Sequence, residues 1–172
     1  MQGDIFIEEN GFYQIDCSSA IWASNKINAE YQVVGNFLSD ADYVIEGASY
    51  IYLVEYKNAN IQGAANAKAF QPQSDKKTDV IARKFYDSIH YLTIHGKGKP
   101  VKYVYIVEYP YAGATDRKLL RNKISDRLPF KLQNGKIGKL IEDFEALSIE
   151  EWNNHADFSQ FPLTPVVTVS AT

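Results

Sequence analysis

Only one cysteine, Cys17, occurs in the 172 residues. An internal disulfide is therefore excluded, and so is a zinc site built on thiolates. Cys17 itself reads as a small buried hydrophobe. Histidine is scarce too, and His90, His95 and His155 lack metal-ligand spacing. No apolar run approaches ~18 residues, so no membrane span is expected. There is no G-x-G-x-x-G, no P-loop and no G-x-S-x-G, which removes the common nucleotide-binding and hydrolase signatures. The first residues, MQGDIFIEENG, are acidic and carry no signal-peptide pattern, so a cytoplasmic setting is expected.

What remains is an ordinary globular composition, 45% hydrophobic and 23% charged, with 12 tyrosines. The length fits one domain spanning 1–172, large enough to bury a core. The net charge of −3 conceals a segregation. Residues 1–55 hold nine acids and one base, residues 56–139 seventeen bases and six acids, and residues 140–172 six acids and no base. Such a basic middle suits a polyanion, and it equally suits neutralisation by the acidic ends within the fold. Composition leaves both open.

Residues 4–16 read as a strand or as a hairpin turning at Asn10-Gly11. Ser24 can cap a helix to about Leu38, with Ile27, Tyr31, Val34 and Leu38 on one face. DYVIEG is a strand, and Gly47-Ala48-Ser49 turns it back antiparallel into the strand from Tyr50. Residues 60–72 are loop. A helix of about 75–94 buries Ile81, Phe85, Ile89 and Leu92. A second long apolar strand covers about 101–109 and stops at Pro110. A third helix follows at about 115–128. Residues 137–147 and 149–155 read as helical, with Ser148 and Glu151 as a capping box. The tail TPVVTVSAT is a last strand or unstructured. The expected class is α/β, a mixed central sheet flanked by helices, with a core of about 24–128 and a helical extension at 137–172.

The chemistry concentrates in YIYLVEYKNA, Tyr50–Ala59. Alternation puts Ile51, Leu53, Glu55 and Lys57 on one face. Across the short turn Asp42 falls opposite residues 54–56, beside Glu55. Two neighbouring carboxylates repel unless a cation lies between them. Mg²⁺, or Mn²⁺ in its place, suits oxygen ligands, and Lys57 can orient a water or neutralise charge on a phosphate. VKYVYIVEYP, residues 101–110, echoes the strand with Glu108 for Glu55 but Pro110 for Lys57, and reads as structural.

Asp42, then Glu55-Tyr56-Lys57 on an apolar strand, resembles the PD-(D/E)xK nuclease superfamily over roughly residues 24–109. The resemblance implies a restriction-endonuclease-like αβββαβ core and a Mg²⁺-dependent endonuclease acting on DNA. It implies Asp42 and Glu55 as metal ligands, Lys57 as the catalytic lysine and Glu30 as the helix glutamate. The chain departs from the pattern in lacking a proline before Asp42, where Asp40 is a rival ligand. No Q-x-x-x-Y follows the lysine, and Gln71 and Gln73 are the nearest substitutes. Lys76, Lys77, Arg83 and Lys84 on one expected helix, and Arg117, Lys118 and Arg121 on the next, are candidate phosphate contacts. A homodimer is a further expectation. A non-catalytic nucleic-acid-binding module and a protein-interaction domain remain as alternatives.

Overall fold

Two runs of β-branched and aromatic residues form the centre of the protein because both of their faces find apolar partners. The computed structural model describes residues 4–64 and 67–167. In chain order its elements are β1 (Ile5–Ile7), β2 (Tyr13–Asp16), β3 (Trp22–Ser24), α1 (Ile27–Tyr31), β4 (Tyr43–Glu46), β5 (Ile51–Asn58), α2 (Asp75–Ile94), β6 (Val101–Glu108), α3 (Ala114–Ser125), α4 (Phe130–Gln133), β7 (Asp143–Leu147), α5 (Ile149–Asn154) and β8 (Leu163–Pro165). Five strands make one mixed sheet in the order β3-β4-β5-β6-β7, and β1-β2-β8 make a small second sheet. The pairs β3–β4 and β4–β5 are antiparallel, and β5–β6 and β6–β7 are parallel. Among the described residues no helix is long and apolar enough to cross a membrane.

Ile51 and Leu53 face α2 and α3, packing with Ile81, Phe85, Leu120 and Ile124. Tyr52, Val54 and Tyr56 face the other way, toward Ile15, Trp152, Phe158 and Phe161. A strand covered on both faces reads as a continuous apolar run, and Ile51–Tyr56 is buried throughout. The mixed α/β architecture expected from the sequence is what the chain adopts. Only two strands, β4 and β5, lie between α1 and α2, and the third antiparallel strand, β3, precedes α1.

Three local expectations change. The helix expected from Ser24 to Leu38 is the short α1, followed by a 3-10 turn at Gln32–Val34. Ser24 ends β3 instead of capping, and Gly35, at φ +72°, turns the chain away. The β-branched pair Val33-Val34 gives a helix little support there, and both side chains are exposed. The helix expected at 137–147 is also replaced, by strand β7. In DFEAL the buried Phe144 and Ala146 alternate with charged residues, a period of two, and β6 offers an open edge. The region 137–172 is therefore not a helical extension, since β7 widens the main sheet and β8 completes the small one. The capping box of Ser148 and Glu151 does form at α5. Residues 168–172 of the tail lie outside the described residues.

The hairpin at Asn10-Gly11 forms as β1–β2, with the Glu8 carboxylate accepting from the backbone N–H of Asn10 and Phe12, both at 2.8 Å. Helix α2 fixes the approach to β4. The N–H of Ser39 donates to Asp87 Oδ2 at 2.8 Å, and that of Ala41 to Ser88 Oγ at 2.9 Å. Asp42 follows directly.

At the opposite end of β4, Lys97 and Lys99 reach Glu46 at 2.8 and 3.0 Å. Hydrogen bonds from the two ammonium groups hold its carboxyl below the usual value of 4.5. The folded state thus binds this proton more weakly than the unfolded chain, so the pair stabilises above about pH 4.5 and its contribution is lost on acidification. Glu46→Gln is expected to lower stability by about 1 kcal/mol at pH 7 and to flatten the fall of the thermal midpoint below about pH 4.5. Melts recorded across pH 3–8 (a range set by the usual carboxylate values, roughly) check this.

Candidate active site

The pairing of Tyr43 with Val54 sets the site. One step further back on β4 and one further on along β5, Asp42 and Glu55 stand opposite each other. Asp42 lies just outside the ladder and extends it, its Oδ2 accepting the Tyr56 backbone N–H at 2.8 Å. Glu55 points toward α2 and is 6% exposed. A carboxylate buried on an apolar strand needs a partner. Lys84 of α2 supplies it, its ammonium donating to both Glu55 oxygens at 2.7 and 2.8 Å and standing 3.9 Å from Asp42 Oδ1.

These groups open into a cleft of about 540 Å³ between the tip of the β1–β2 hairpin, the start of α1 and the ends of β4 and β5. Asp40 and Lys57 line it as well. Asp40 Oδ1 accepts from Asn28 Nδ2 at 3.0 Å, which fixes this rival carboxylate at the α1 side. Lys57 is exposed. It shares the face of Glu55 as alternation requires, but lies beyond the buried part of the strand.

Burial, then the charge of Asp42, pushes the Glu55 carboxyl up to about 8, with Lys84 opposing. Burial raises Asp42 too, again against the pull of Lys84. The two carboxylates in turn hold Lys84 above its ordinary value despite its own burial. Burial dominates both carboxyl shifts, and one ammonium set against two carboxylates only partly offsets it.

Other expected site residues are placed elsewhere. Glu30 accepts from Tyr91 Oη at 2.9 Å and pairs with His95 Nε2 at 2.9 Å, and does not line the cleft. Its helix turns Asn28 toward the cleft instead. Gln73 braces α3, its Nε2 donating to the Asp116 carbonyl at 3.3 Å. Arg117 forks onto Glu151 at 2.7 and 2.9 Å, and Arg121 binds the Phe144 carbonyl and Glu145. These two arginines therefore tie α3 to α5 and β7. Lys76, Lys77, Arg83 and Lys118 are exposed. Lys84, expected as an outer phosphate contact, is placed instead on the cleft floor against Glu55. Its spacing held the signal: it follows Ile81 by three and precedes Ser88 by four, and both are buried.

The echo strand is offset. Register pairs Glu55 with Tyr105 and Asn58 with Glu108, so the similar letters are displaced by three residues. An odd displacement reverses the face. Glu108 accordingly faces away from Glu55 and accepts the Ile149 N–H at 2.7 Å, at the start of α5.

Among the described residues no group of three or more His, Cys, Asp and Glu side chains is arranged to hold a metal ion. Asp42 and Glu55 would need backbone oxygen or water to complete a hard-cation shell, the manner in which Mg²⁺ is commonly bound. Against known proteins, the chain matches no family model, no curated protein and no solved structure.

Asp42→Ala leaves the Tyr56 N–H without its acceptor and is expected to cost about 1–3 kcal/mol. Asp42→Asn keeps an acceptor oxygen and should retain most of that. Urea midpoints of the two variants, compared with wild type, test the placement of Asp42.

Proposed function

We propose that this protein is a divalent-metal-dependent nuclease that hydrolyses phosphodiester bonds in DNA. The observation carrying the reading is the convergence of Asp42 and Glu55, from adjacent strands, on one ammonium in an open cleft. The donor set fits a hard cation: oxygen ligands, an excess of negative charge, and a position already taken by a cationic group. When bound there, Mg²⁺ or Mn²⁺ would supply a water of lowered pKa and charge stabilisation on a phosphate oxygen.

Asp42 would hold such a cation through Oδ1, because its Oδ2 is occupied by the Tyr56 N–H. Glu55 would hold it from the floor of the cleft. Lys57, exposed at the mouth, would meet the phosphate or the attacking water. Lys76, Lys77, Arg83 and Lys118 remain available for sequence-independent phosphate contacts. The antiparallel hairpin β4–β5, followed by α2 and the parallel β6, supports kinship with the restriction-endonuclease-like core. DNA as the nucleic acid rests on that kinship. A homodimer in the cytoplasm goes with this reading, two sites serving two strands.

A second reading, a non-catalytic nucleic-acid-binding module, is favoured by one observation. Lys84 satisfies Glu55 completely, as a purely structural ion pair would.

Plasmid and single-stranded DNA incubated with Mg²⁺, Mn²⁺ or EDTA separate the two. Cutting that requires metal is expected, falling about a hundredfold or more in Glu55→Ala and Asp42→Ala and about a hundredfold in Lys57→Ala. Glu30→Ala should cut normally. Metal-dependent cutting retained by Glu55→Ala and Lys57→Ala would overturn the assignment. Salt-sensitive binding without cutting would support the second reading.

A further inference from the structure

Lys84 is bound unlike the other basic residues of α2. Its ammonium meets both oxygens of Glu55 and approaches Asp42, while Lys76, Lys77 and Arg83 point to solvent. A cation bridging Asp42 and Glu55 would compete with those two hydrogen bonds for the Glu55 oxygens. We propose that Lys84 is an exchangeable internal counter-cation, filling the cation position of the site until a divalent metal displaces it. The inference rests on the reading of Asp42 and Glu55 as a metal site and adds how that site is loaded.

Charge gives the first reason. Glu8, Glu9, Asp40, Asp42 and Glu55 line the cleft against only Lys57 and Lys84, an excess of negative charge that a divalent cation would reduce more than one ammonium does. Without any cation, the pair would be strongly disfavoured by burial and mutual repulsion. Lys84 thus keeps the empty site folded.

Mobility gives the second reason. The backbone of α2 is anchored one turn away, where Asp87 and Ser88 hold residues 39 and 41. The helix need not move. Lys84 has a flexible four-carbon stem, and its side chain is 22% exposed, which leaves it a way into the cleft and to solvent. Once released, the ammonium is free to meet an anionic group arriving in the same cleft.

Isothermal titration with MnCl₂ tests the exchange directly. Lys84→Met removes the competitor and is expected to bind Mn²⁺ about tenfold or more tighter than wild type, since no buried pair must first be broken. Lys84→Gln, which can still hydrogen-bond Glu55, serves where the methionine variant fails to fold. Equal or weaker affinity in these variants, with wild type binding normally, would overturn the exchange and leave the metal site standing. Absence of Mn²⁺ binding in every form would overturn both. Wild type provides an independent measurement: the Lys84 ammonium resonance, protected in the absence of metal, should broaden or shift toward that of a free lysine on addition of Mg²⁺. A resonance unchanged at saturating Mg²⁺ would show that metal and lysine coexist, against the proposal.

Discussion

Strand β5 is buried on both faces from Ile51 to Tyr56, and every charge placed on it must be compensated inside the protein. Glu55 is the one ionisable acid in that run. Its burial is compensated by Lys84 of α2, which meets both of its oxygens. The same helix, three and four residues on, grips the segment before β4 through Asp87 and Ser88. So one compensated charge links the sheet, the long helix and the strand that carries Asp42. Core packing around Phe85 and Tyr103 supplies the adhesion, and the Asp87 and Ser88 hydrogen bonds anchor the helix to the segment before β4.

The segregated charge of the chain is put to use mainly within the fold. Lys97 and Lys99 from the basic middle meet Glu46 of the acidic start. Arg117, Arg121 and Lys102 meet Glu151, Glu145 and Asp157 of the acidic end. Most of these pairs are partly shielded, which makes them stronger than freely exposed ones. The surplus without ion-pair partners is therefore smaller than the sequence suggests, and among the described residues its exposed members include Lys76, Lys77 and Arg83 on α2 with Lys26, Lys57, Lys118 and Lys136.

How much of this was legible in the sequence depended on how local each determinant is. Asp42 opposite Glu55 follows from counting back across a short turn, because alternation and antiparallel pairing leave little freedom. The long α2 and the central strands announce themselves by period and by length. The short elements do not. In α1, Gly35 and two valines outweigh an apolar spacing that extends to Leu38. In β7, five residues become a strand because β6 presents an unpaired edge, a fact of the assembled sheet. Lys84 was misread because its partner lies 29 positions back along the chain. Glu30 matched a helical pattern yet was drawn to Tyr91 and His95. The echo of VEY in β6, read as structural, is so: a register slip of three sends Glu108 to the opposite face, where it accepts the Ile149 N–H.

The two carboxylates of the site are held in unequal ways, and the difference bears on what the cleft can do. Asp42 is fixed by the backbone: one oxygen is spent on the Tyr56 N–H, and the residue lines the cleft. Glu55 is held by a side chain alone, both oxygens bound to a lysine on a flexible stem. On the proposed reading, a cation entering this site would find one ligand already aimed and need only the other released. No strand or helix has to shift. The open cleft over the Lys84–Glu55 pair, with Asp40 and Lys57 at its margin, is what sets this cluster apart from the bracing pairs elsewhere in the molecule.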